Sequence, residues 1–213
     1  MDDGRPVAAD YAWVEDGADG GLFSAYCLTL VRGVSPAEFL TRLGADVRPG
    51  PLPLGDEFVD LSFQYWGAPH YGDVQLIGAT VARGGDADWT LAFEVNGHLG
   101  VTPSVMAPVA AGTTLVSHRY NGGNGVGWFH WLEDGVVRVE FEPLFATNRG
   151  GSTPDALLDD MARVGLDLSG AVRDEVGPTT TAAFALAERL TGVRVTPALL
   201  DDALFWCGTV ADH

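Results

Sequence analysis

Thr113-Thr-Leu-Val-Ser-His-Arg-Tyr-Asn-Gly-Gly-Asn-Gly-Val-Gly-Trp-Phe-His-Trp-Leu-Glu-Asp-Gly-Val-Val-Arg-Val-Glu-Phe-Glu142 holds three strand-like runs and two turn signals. The runs are 113–120, 126–132 and 136–142. Asn121–Gly125 separates the first two, and Asp134-Gly135 separates the last two. Asp-Gly supplies the left-handed backbone that a tight hairpin needs. Working towards the N-terminus, Trp89–Val95 alternates cleanly, with Trp89, Leu91, Phe93 and Val95 on one face. Residues 74–82 and 23–31 are further apolar runs, the latter apolar on both faces, as suits a central strand. Consecutive strands with hairpin links argue for an antiparallel meander of five to six strands.

Helix signals lie before and after this block. Ser35-Pro36, Thr102-Pro103, Thr153-Pro154 and Thr196-Pro197 each place a capping hydroxyl before a proline at the first helical position. Ser35 with Glu38 fits a capping box, and that helix stops near Gly44. Further helices are expected over about 154–164, 180–191 and from 197 through Leu204; Pro108 weakens the one after Thr102. Residues 45–72, rich in Pro and Gly, read as irregular, and 166–178 as an acidic connector. The segregation predicts an α+β fold, with helices on one sheet face and at the C-terminus. One domain, 1–213, is expected, with a β-rich body at 20–145, a helix at 35–44 and a helical C-terminal part at 152–207.

Composition bounds the function. The net charge is −17, from 12 basic residues (all Arg) against 29 acidic ones. Nucleic-acid affinity comes largely from cations that neutralise phosphates, so such partners are disfavoured, as are anionic membranes. A basic protein would be steered towards this chain. The N-terminus lacks the apolar core of a signal peptide and no apolar run reaches spanning length, so a cytoplasmic protein is expected. Cys27 and Cys207 have neither zinc nor redox spacing and read as buried thiols. Nucleophile-elbow, phosphate-loop and dinucleotide motifs are absent, and no cofactor or metal is implied.

Two groups of residues are candidates for a site. If Tyr120 pairs with Val126, then His118 faces Trp128 and Val116 faces His130, and both imidazoles project from one face. With His70 and Tyr71 from the irregular stretch they would form a pocket; the plainer alternative is two half-buried strand histidines. An Asp134-Gly135 turn would put Trp128, His130 and Leu132 with Val137, Val139 and Phe141 on the core face. The opposite face would then show Arg119, Phe129, Trp131, Arg138 and Glu140. Aromatics mixed with Arg suit a recognition surface, unless a helix covers them. A one-residue slip would exchange the faces.

The strings Phe23–Gly33, Trp89–Gly97, Trp131–Gly135 with Phe141–Phe145, and Ala183–Gly192 resemble an uncharacterised domain family of actinobacteria, across nearly the whole chain. That resemblance implies a single bacterial domain and supplies no activity. The expectation is a non-enzymatic protein-binding module, of the immunity-protein or antitoxin kind, with an acidic surface for a basic partner. The alternative is an enzyme or small-ligand or metal-binding protein using His70, His118 and His130.

Overall fold

The computed structural model describes residues 4–16, 22–67, 72–85, 87–170, 177 and 179–211. Its centre is one antiparallel sheet of nine strands in the order β2-β9-β3-β4-β1-β5-β6-β7-β8. The strands are β1 Ala25–Arg32, β2 Asp46–Pro53, β3 Val74–Gly84, β4 Ala87–Val95, β5 Thr114–Asn121, β6 Val126–Glu133, β7 Val136–Phe141, β8 Arg149–Gly150 and β9 Leu204–Ala211. The meander is there as β5-β6-β7, but nine strands replace the expected five to six. Two of the additions were hidden. β2 lies in the stretch read as irregular, because Pro49, Pro51 and Pro53 mask it. Prolines are tolerated there because β2 is an edge strand, where a missing N–H leaves no ladder unfilled. β9 lies where the C-terminal helix was expected to continue; that helix stops at Asp202, and Leu204 onward inserts between β2 and β3.

Seven helices accompany the sheet among the described residues: α1 Trp13–Asp16, α2 Pro36–Arg42, α3 Asp56–Trp66, α4 Pro103–Val109, α5 Leu158–Arg163, α6 Thr179–Thr191 and α7 Pro197–Asp202. The Ser-Pro and Thr-Pro devices work at two sites. Ser35 Oγ accepts the Glu38 N–H at 3.2 Å, and Thr196 Oγ1 accepts the Leu199 N–H at 3.1 Å. The Glu38 carboxylate turns to Arg42 instead of completing a capping box. Thr102 donates to the His98 carbonyl, and Thr153 to the Arg138 carbonyl, so neither caps its helix. Accordingly the helix expected over 154–164 shortens to α5.

The helices cover both faces of the sheet, not one. On the first face, Tyr26, Leu28, Leu30, Leu91, Phe93, Val116, Phe129 and Phe141 pack with Phe58 of α3, Met161 of α5 and Phe184 of α6. On the second, Val31, Ile77, Ala79, Ala92, Leu115 and Leu132 pack with Phe39 and Leu40 of α2 and Met106 and Val109 of α4. A sheet buried on both sides explains the apolar run of β1, which is buried from Tyr26 to Val31. No described helix is long and apolar enough to cross a membrane.

Candidate functional site

The β5–β6 register decides the fate of the histidines. Asn121, not Tyr120, pairs with Val126, so His118 faces Phe129 and Ser117 faces His130. One residue of difference moves the imidazoles to opposite sides of the sheet. His118 is fully buried on the first face, where its Nδ1 meets the Tyr26 hydroxyl at 2.9 Å and its ring sits 4.5 Å from that of Phe184. Burial pulls its pKa down to about 3, which keeps the ring neutral. His130 lies on the second face with its pKa lowered to about 4 by burial. Glu140, 3.8 Å away, would pull in the other direction, but it is partly exposed and its charge is screened, so desolvation wins. His70 and Tyr71 lie outside the described residues. His118 and His130 therefore do not form one pocket. Among the described residues no three His, Cys, Asp or Glu side chains gather as a metal site.

The expected aromatic–Arg face is likewise split. The Asp134-Gly135 turn forms as read, with Glu133 opposite Val136 and positive φ at both turn residues. A β-bulge then follows: Leu132 pairs with Val137 but Trp131 pairs with Val139, so Arg138 is the extra residue. The bulge sends Val139 and Phe141 to the face of Phe129, away from His130. Phe129 is core, stacked on Phe141 at 5.2 Å. Arg138 lies over the Trp131 ring at 5.9 Å and bonds to Thr153. Arg119 and Glu140 are on the second face.

That second face carries a polar seam which sequence reading missed. Cys27 pairs with Glu94 on one side and Arg119 on the other, while Thr29 pairs with Ser117, which pairs with His130. The short 3-10 turn Leu99–Val101 lies over the seam. Glu94, buried, accepts the N–H groups of Leu99 and Gly100 at 3.0 Å each, and Ser117 donates to the Gly100 carbonyl. Burial raises the Glu94 pKa, and the two N–H donors oppose that rise. Burial also raises the Cys27 pKa well above its ordinary value, so this is a thiol and not a thiolate nucleophile. Gly100 is required by proximity: a Cβ there would collide with the Thr29 hydroxyl and the Cys27 thiol. The seam holds a turn onto the sheet.

Towards the β2 edge the second face is uncovered. Trp206 pairs with Pro51 on one side and Ala79 on the other, and the same register sets Leu204 beside Pro53 and Val81. Val47, two rows away, pairs with Gly208. Val47, Val81, Leu204 and Trp206 are exposed at 50%, 54%, 55% and 47%. α2 contacts β9 from the other end, where Ala45 crowds Gly208, so the helix covers Val210 but not these four. The exposed acids Asp46, Asp201 and Asp202 lie one to three residues from them, and Asp88 pairs with Arg83 at 3.6 Å beside Val81. The alternation in Leu204–Ala211 was the available signal for this surface, obscured by the helical spacing just before it.

A model of a family of unknown function, DUF6461, matches residues 4–213. The chain belongs to the DUF6461 family. The match spans nearly the whole chain. No curated protein and no solved structure matches the chain.

Proposed function

We propose that this DUF6461 chain is a protein-binding module whose contact face is the outer side of β2, β9 and β3. The observation that carries the reading is the run of exposed apolar side chains, Val47, Val81, Leu204 and Trp206, on adjoining strands of the second face. Contiguous exposed apolar surface rimmed by polar groups marks interaction sites, and Trp is enriched at their energetic centres. The partner's chemistry follows from charge. A chain at −17 repels a second copy of itself, and the exposed carboxylates of Asp201 and Asp202 adjoin the patch. The matching surface is a protein with an apolar centre and a Lys- or Arg-rich rim. The prolines of β2 argue against strand addition at this edge, so the contact is face-on.

The test combines two measurements. Sedimentation velocity on the pure chain is expected to show a monomer. Capture from native lysate is expected to recover a basic protein, which Trp206→Glu abolishes and Asp201→Asn with Asp202→Asn weakens about tenfold in affinity. Self-association through the patch, or capture indifferent to Trp206, overturns the reading.

A further inference from the structure

On the first face, at the far end of the β4-β1-β5-β6 strands from the Asn121–Gly125 loop, lies an open cleft of about 410 Å³. We infer that this cleft is a binding site for a small neutral polyhydroxyl ligand, a sugar of one or two rings. Its size falls within the range of small-molecule pockets. Its floor is one row across neighbouring strands. Trp89 pairs with Arg32, the Val31–Leu115 pairing sets Arg32 beside Thr114, and Thr114 pairs with Glu133. At strand spacing the row spans about 14 Å from Trp89 to Glu133. Trp131 and the end of α6 form the walls.

The ligand class is read from these groups. The Trp89 indole N–H is buried and has no acceptor among the described residues, a debt that a ligand oxygen would settle. An indole N–H only donates, Thr114 donates and accepts, and Glu133 only accepts. Such a mixture within one row suits hydroxyl groups, which do both. Glu133 is compensated by Arg138 at 3.7 Å, and the negative field of the whole molecule disfavours anions, so a neutral ligand fits better than a phosphate or carboxylate. The Trp131 ring offers an apolar wall for the C–H face of a sugar ring. Arg138 lies 5.9 Å over Trp131, and its Nε is 3.7 Å from Glu133, so the wall and the acceptor are held in place together.

The test is saturation-transfer NMR and Trp emission with methyl glucoside, methyl galactoside, methyl mannoside and N-acetylglucosamine at up to about 10 mM. At least one is expected to bind. Glu133→Gln and Trp89→Phe are each expected to weaken it about tenfold or more with the melting temperature of Glu133→Gln unchanged. Glu133 is partly exposed on the sheet, so its variant folds even if Trp89→Phe does not. Absence of binding by all four probes overturns the inference. So does binding that is indifferent to Glu133→Gln, or binding of the zwitterion glycylleucine in place of any sugar.

Discussion

Two imidazoles and one carboxylate carry opposite pH signatures. His118 and His130 have folded pKa values of about 3 and about 4, below the ordinary histidine value. The unfolded chain therefore binds protons that the folded chain refuses. Their contribution to stability is complete above pH 6.5 and is lost as the pH falls towards 4, on the order of 3 kcal/mol for each ring. Glu94 acts with the other sign: its raised folded pKa favours the protonated, folded form, and that contribution fades as the pH rises from the ordinary glutamate range through the folded pKa. Urea titrations from pH 7 to pH 4 should show net loss of stability on acidification, with a smaller slope in His130→Gln. An unchanged slope would show that His130 titrates normally. Gly100→Ala should cost about 2 kcal/mol, because its methyl must displace Thr29 or Cys27 beneath the turn; a neutral result in the same titration would show that the turn yields freely.

Among the elements, the N-terminal segment, α5 and α6 are tied by one buried guanidinium. Arg189 of α6 bonds to Asp160 of α5 at 2.8 Å and to the Pro6 carbonyl at 3.1 Å, and Arg5 bonds to Asp160 at 3.3 Å. Asp160→Ala should destabilise the chain by about 3 kcal/mol, since it leaves a desolvated charge without its carboxylate; calorimetry showing no fall in melting temperature would contradict this. How far these elements could be read beforehand followed local chemistry. The Ser35 and Thr196 caps, the Asp134-Gly135 turn and the meander were legible because each rests on a few adjacent residues. The face assignment was not. It depended on whether the glycine loop closes at Tyr120 or Asn121 and on an extra residue at Arg138, and neither leaves a mark in periodicity. Two strands of the uncovered face were hidden for separate reasons: β2 by its prolines, β9 by the helix-like spacing of Leu199, Leu200, Ala203 and Leu204 that runs into it.

For the whole molecule, a charge of −17 on one compact sheet means self-repulsion. Raising salt from about 50 to 500 mM should raise the melting temperature while weakening any partner held by charge, because the Debye length shrinks several-fold. A melting temperature insensitive to salt would mean that the carboxylates are too dispersed to repel. The binding reading rests on the uncovered face of β2, β9 and β3, so contact at that face is what must be measured. A photo-crosslinking residue at position 206, with a control at Thr147 beside Ala146 of the first-face core, measures it in intact cells. A discrete adduct with a basic protein is expected from 206 and none from 147. An adduct with a second copy of the chain, or equal labelling from both positions, would contradict it.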